Sequence, residues 1–310
     1  MVSEGRTRQS IEWTTVLVLL GFGLAYLAVV LFHSSIPWPV QLLALVPLGG
    51  LWMSLGHELL HGHPTRWNWV NGAIGRIPLS FWIPFPRYKT LHVKHHKSDL
   101  TDPDDDPESF YVKPPVWQEA GTVRRAWFLF LRTLVGRLTV GVPRGILRFW
   151  VREARLARHD RHIVLQWAVH VVLCVLLGWL LFGVVGFNPW VYVFGFVLGG
   201  SACTQLRSFA EHCAVSTGTR SAVVKAGPLM SLLFLNNNLH HTHHALPDLP
   251  WYDLPAKHAE LGSDAIAAQG AGLYEHGYLE IVRTYFVAPF CQPDHPLSPG
   301  ARPYGSRGLT

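Results

Sequence analysis

Long apolar runs alternate with short polar turns along this chain. Four segments, residues 13–32, 38–56, 162–184 and 190–206, come near the twenty or so apolar residues that a bilayer-crossing helix needs. The first two are joined by Ser34-Ser35-Ile36-Pro37 and the last two by Gly186-Phe187-Asn188-Pro189, and neither turn carries a charge. Between the two pairs the pattern changes. Residues 122–159 interleave arginines (Arg124, Arg132, Arg144 and Arg152 among them) with Trp127, Phe130, Leu147 and Trp150. That mixture suits helices lying on a membrane surface, broken near Pro143. Residues 79–85 are apolar but too short to span and contain Pro84, which predicts a re-entrant or interfacial piece. The expected architecture is an all-α integral membrane protein with about four transmembrane helices and a cytoplasmic helical cap. Residues 1–255 would form the membrane domain with its cap, and 256–310 a cytoplasmic C-terminal tail.

Composition supports a membrane chain: 49% of the 310 residues are hydrophobic and 15% charged, a low charge fraction for a soluble protein. Seventeen of the 26 lysines and arginines fall between His57 and Arg161. The positive-inside rule therefore places that segment, both termini and the histidine clusters described next on the cytoplasmic side, as in a bacterial inner membrane. The net charge of +6 is then a matter of topology and lipid contact, and a nucleic-acid partner is a poor fit because the basic residues flank membrane helices. Arg6 and Arg8 precede the first apolar run, which is too long for a signal-peptide core and reads as a retained helix. The four cysteines are scattered without a CxxC pair, which argues against a disulfide framework and against a cysteine-based zinc or iron–sulfur site.

The chemistry is carried by histidine. Three clusters stand out: His57-Glu58-Leu59-Leu60-His61, His92-Val93-Lys94-His95-His96 and His240-His241-Thr242-His243-His244. Their i, i+3 and i+4 spacings put imidazoles on one helix face, an arrangement with little use as packing and a strong use as a metal cage. A depth argument adds an isolated residue. His61 lies 23 positions beyond Trp38, His212 lies 22 beyond Trp190, and both tryptophans follow a proline at the start of an apolar run. At helical rise each histidine is carried about 33–35 Å inward, just past the hydrocarbon core. Nine histidines are enough for two metals, and imidazole alone does not choose among iron, copper, zinc and nickel.

Several other features were weighed against these. HExxH at His57–His61 is the zinc metalloprotease signature, with Glu58 as general base, but it leaves the other two clusters unexplained. Glu58 and His61 give one Glu-x-x-His match to a carboxylate-bridged di-iron bundle, and no second match accompanies it. The acidic run from Asp102 to Glu108 lacks EF-hand spacing; it reads as a loop patch, or as carboxylates behind ligating histidines. His63 would point away from the His57–His61 face, Asn236-Asn237-Asn238 would orient ligands or cap a turn, and His170 reads as a satisfied intramembrane histidine.

HELLH, HVKHH and HHTHH, in this order, resemble the three histidine boxes of the membrane fatty acid desaturase and hydroxylase superfamily, over roughly residues 41–255. Ser208-Phe209-Ala210-Glu211-His212 is similar to the additional ligand position between boxes two and three. The stretch from Asn236 to Pro255 is similar to bacterial fatty acid desaturase-like members. The HExxH form of the first box also resembles alkane hydroxylases, and Asp104-Asp105-Asp106-Pro107 resembles carotenoid ketolases. The resemblance implies two non-haem irons, dioxygen as co-substrate and two electrons from a ferredoxin-type donor. It implies His57, His61, His92, His95, His96, His212, His240, His243 and His244 as the iron ligands, with His241 competing with His240. The reaction it implies is desaturation of a fatty acyl or related lipid chain. The alternatives are hydroxylation or ketolation of an alkane, carotenoid or other lipid, a remote zinc intramembrane protease, and a non-catalytic metal-binding protein. The arginine-rich surface would dock an acidic donor or anionic lipid.

Overall fold

The computed structural model describes residues 11–297, so Arg6 and Arg8 lie outside the described residues. The chain divides into two compact units. The first comprises the chain up to Lys89, Phe149–Cys203 and Pro250–Tyr252; the second comprises Thr90–Arg148, Thr204–Leu249 and the chain from Asp253 on.

In the first unit, helices Trp13–Leu31, Trp38–Leu60 and Arg161–Val184 are long and apolar enough to cross a membrane. Trp13, Leu17, Leu20, Leu24, Leu27 and Leu31 recur every three or four residues along one face of the first helix, and all stand exposed. Such a stripe is a liability in water and matches acyl chains. The opposite faces build an aromatic core: Phe22 stacks on Trp52 at 5.3 Å, Tyr26 meets Phe196 edge-on at 5.5 Å, and the Tyr26 and Tyr192 hydroxyls are 3.0 Å apart. The turn between the first two helices is clamped by Gln41, whose amide donates to the carbonyls of His33 and Ile36.

The segment expected as a fourth span is helical but composite. It runs as a short α-helix Pro189–Tyr192, a π-helical stretch Val193–Gly199 and an α-helix Gly200–Ser208. It is not among the three helices that reach span length and hydropathy. Its last third holds Ser201, Thr204, Gln205 and Arg207, which lower its apolar character. Among the described residues three candidate spans are therefore established. The composite helix crosses helix Trp38–Leu60 at a glycine pair. A Cβ on Gly49 would lie 2.3 Å from the Phe196 carbonyl oxygen, and one on Gly200 would lie 2.5 Å from the Gly49 Cα. Only residues without side chains allow backbones this close.

The apolar piece before Phe85 is irregular, as its length and Pro84 suggest. Its carbonyls are satisfied from inside the protein. Tyr192 donates to Leu79 at 3.0 Å, the Trp150 indole to Trp82 at 2.8 Å, and His170 Nε2 lies 2.9 Å from the Phe81 oxygen. Irregular backbone among membrane helices persists only with such partners, and His170 is accounted for in this way. Arg87 and Glu153 form a buried two-pronged ion pair at 2.5 and 3.0 Å.

The second unit has a core of Leu134, Phe209, Phe234, Tyr278 and Ile281, beside two short parallel strands, Val223–Val224 and Leu273–Tyr274. Residues after 255 supply helices Leu254–Leu261, Ser263–Ala268 and Gly277–Tyr285, and their Tyr274, Tyr278 and Ile281 lie in that core. The arginine-rich stretch forms helices Thr122–Leu131 and Val142–Ala157. The expected break near Pro143 is absent. The interruption falls earlier, at Thr133, whose hydroxyl caps the Gly136 N–H at 3.0 Å. Pro143 sits in the first turn of its α-helix, directly after a π-helical turn Arg137–Gly141. The wider turn and the first-turn position both reduce the cost of a missing N–H.

Candidate metal centre

Helix Trp38–Leu60 ends at the first histidine cluster because Gly62, with φ of +95°, turns the chain. The i, i+4 spacing of His57 and His61 brings their ring centroids to 4.7 Å. Glu58 does not stand free beside them: one carboxylate oxygen accepts the Trp251 backbone N–H at 3.2 Å. His63 turns away, its Nδ1 2.7 Å from Glu12.

In the second unit, helix Phe85–His95 and the residue after it carry His92, His95 and His96, while helix His240–Ala245 carries His240, His243 and His244. His212 follows helix Gly200–Ser208 and is held by an antiparallel bridge to Ser221. Their Nε2 atoms converge. His95 and His212 are 3.1 Å apart, His212 and His240 2.9 Å, and His240 and His244 3.1 Å. In a second group, His92 and His96 are 3.0 Å apart and His96 and His243 3.1 Å. Within each group the candidate ligand atoms all lie within 4.8 Å of one another. His63, His170 and His241 belong to neither group.

The opposite ring nitrogens explain why this convergence suits a metal. His92 Nδ1 faces Glu108 at 2.9 Å, His95 Nδ1 faces Asp106 at 2.8 Å, His240 Nδ1 faces the Asn237 oxygen at 3.1 Å, and His212 Nδ1 faces the Arg220 carbonyl at 3.2 Å. All four partners are acceptors, so each of these Nδ1 atoms carries a hydrogen, and each ring in its neutral form turns an Nε2 lone pair inward. Lone pairs facing each other at about 3 Å repel; a cation between them reverses the sign of the interaction.

Electrostatics agree. Burial, followed by the charges of His92 and His95, brings His96 down to about 3, and burial with the His95 charge brings His212 down to about 3. Burial also lowers His92, His240 and His244, so these imidazoles are neutral at pH 7. His95 goes the other way. Burial opposes its charge, but Glu108, Asp106 and Glu211 outweigh it and push His95 up to about 9. The carboxylates thus stabilise positive charge at this spot, whether a proton or a metal supplies it. Glu108 is itself held well below the carboxylate range, against its burial, by His95 and His92.

The acidic run after the second cluster therefore supplies carboxylates behind the imidazoles. One device was not legible. Glu211 is buried between Arg207 Nε, at 3.0 Å, and His240 Nδ1, at 3.5 Å. The signal available was the i, i+4 spacing of Arg207 and Glu211 and the adjacency of Glu211 to His212. A second brace runs from Thr242 Oγ1 to His258 Nδ1 at 2.8 Å and from His258 Nε2 to Asp264 at 2.8 Å. Its members are up to 22 positions apart, and no local pattern links them.

Comparison with known proteins gives two findings. The family model for fatty acid desaturases matches residues 34–276. The chain is also similar to a β-carotene ketolase from Paracoccus sp. (strain PC1), 30% identical over 228 residues, which is 69% of this chain and 78% of the relative.

Proposed function

This chain belongs to the fatty acid desaturase family, and on that premise we propose that it is a membrane-bound di-iron oxidoreductase that desaturates a fatty acyl or related lipid chain. The observation that carries this reading is the inward-facing set of Nε2 atoms, four of them on rings whose Nδ1 meets an acceptor. His95, His212, His240 and His244 would hold one iron. His92, His96 and His243 would hold the other, and His57 and His61, an i, i+4 pair that is a ready two-point ligand, would be the remaining two of the nine ligands.

Bound irons supply the activation of dioxygen with two electrons that breaks an unactivated C–H bond. The protein's part is placement and charge. Asp106 and Glu108 fix the tautomers of His95 and His92 and offset the metal charge. Asn237 orients His240, and the Arg207–Glu211 pair stands behind the same ring. An apolar substrate would arrive from the bilayer, to which the exposed leucine stripe of helix Trp13–Leu31 fits the protein. The active side would face the cytoplasm of a bacterial inner membrane, where an acidic ferredoxin-type donor finds the arginine-rich helices.

The similarity to a β-carotene ketolase supports a second reading, oxygen insertion into a carotenoid or other lipid. The protease reading has no such support, and Glu58, its proposed general base, already accepts the Trp251 N–H. The deciding experiment is metal analysis of the purified protein together with analysis of membrane lipids from cells expressing it with a ferredoxin system. Two irons per chain and a new double bond are expected. A new carbonyl or hydroxyl would select the second reading, and one zinc per chain with unaltered lipids would end both.

A further inference from the structure

Of the four buried arginines among the described residues, two face a carboxylate: Arg87 pairs with Glu153 and Arg207 with Glu211. Arg137 does not. It is 4% exposed, and among the described residues it has no carboxylate partner. Its single hydrogen bond is a long one, 3.4 Å to the Gln205 side-chain oxygen. Phe110 covers one face of the guanidinium at 3.3 Å, with Phe209 at 5.6 Å. Burial, followed by repulsion from a second cation, Arg132, makes Arg137 a weaker base than usual. A buried charge in this situation is destabilising unless something compensates it.

The free valences define what that something is. The ring stacking occupies the faces of the guanidinium and leaves its edge, where four of five N–H donors have no partner among the described residues. A planar row of donors beside a second cation is matched by an oxyanion that accepts two parallel hydrogen bonds. Arg137 also opens the π-helical turn Arg137–Gly141, a deviation that recurs at functional positions. Phe110 is 44% exposed, so one ring separates the guanidinium from the surface.

The surroundings connect this position to the metal groups. Phe110 lies two residues after Glu108, which holds His92. Gln205 lies two residues before Arg207, which holds Glu211 behind His240. Both segments that frame Arg137 thus also carry groups behind the imidazoles. We propose that Arg137 is the anchor of an oxyanion-binding site that takes the carboxylate or phosphate at the charged end of a lipid, with Phe110 as the ring over it. The lipid's role as substrate rests on the function proposed above. An anionic acyl chain would then be held by its head while its tail reaches the metals, and a neutral carotenoid would have nothing to place there.

The test is equilibrium binding to the full chain in neutral detergent, with palmitate, methyl palmitate and inorganic phosphate as probes. Palmitate should bind the wild type, and Arg137→Gln should weaken it by about tenfold or more, as expected for loss of a charge-assisted pair. Arg137→Lys should keep a larger share of the affinity, and methyl palmitate should not distinguish the proteins. Palmitate binding that is absent from the wild type, or undiminished in folded Arg137→Gln protein, overturns the site. Arg137-dependent binding of inorganic phosphate with palmitate ignored overturns the lipid assignment. If Arg137→Gln does not fold, Phe110→Ala keeps the guanidinium and should speed palmitate association; an unchanged or slower rate refutes the proposal. Because binding is read without turnover, on metal-loaded and chelated protein alike, its failure leaves iron content and lipid product untouched as tests of the function.

Discussion

An imidazole offers a metal its Nε2 lone pair only when the ring's proton sits on Nδ1. Glu108 imposes that condition on His92, and Asp106 imposes it on His95. Loss of such a partner typically weakens metal binding by about 10–100-fold. Glu108→Ala should fall in that range, measured by competition with a chromogenic chelator. Asp106→Ala should fall further, because Asp106 also accepts the backbone N–H groups of Thr101 and Glu108 and so shapes the loop that presents both carboxylates. Equal metal affinity in Glu108→Ala and wild type would remove Glu108 from the site. The three clusters were legible as candidate ligands at this scale because helical spacing is local. Glu211 was not, since its use depends on Arg207 and His240 arriving from two directions.

Helices impose constraints of another kind. The Gly49–Gly200 crossing has no space for a methyl group, whereas a Cβ on Gly21 meets nothing within 4 Å. Gly200→Ala should therefore destabilise by about 1–3 kcal/mol, the usual cost of overpacking. Gly21→Ala should change little. Thermal transitions of the two variants in the same detergent decide the matter, and indistinguishable values would show that the crossing tolerates side chains. Three of the four expected spans were readable from hydropathy, and helix Trp13–Leu31 ends one residue short of its expected limit. The π-helical stretches Val193–Gly199 and Arg137–Gly141 were not readable. A periodicity argument assumes 3.6 residues per turn, and Pro143 then suggests a break that a wider turn in fact absorbs.

For the molecule as a whole, the metal groups tie ligand binding to stability. A metal held at about a hundredfold above its dissociation constant adds about 2.7 kcal/mol per site. Chelation should accordingly lower the unfolding temperature, and ferrous iron should restore it. A transition indifferent to both would mean that the imidazole groups hold no metal. Sidedness is tested on the same scale. With four spans and a cytoplasmic site, a membrane-impermeant maleimide should label Ser35→Cys in intact cells and spare Lys257→Cys. Labelling of both would mean that the chain crosses three times, through the three helices that meet span criteria.

The sequence by itself determined the membrane class, the location of three long apolar helices and the histidine clusters that could hold a metal, because hydropathy and i, i+4 spacing are properties of neighbours in the chain. It also brought in His212, through helical rise alone. Tertiary structure decided what those histidines face. Only in the fold does Asp106 meet His95, Asn237 meet His240 and Glu211 stand between Arg207 and His240. Only there does Arg137 turn out to be buried beneath Phe110 with no carboxylate partner among the described residues, while the arginines around it looked alike in the sequence. The physical reason is common to all of these. Burial and hydrogen-bond partnership depend on residues far apart along the chain, and they set whether a nitrogen carries a proton, a lone pair or an uncompensated charge.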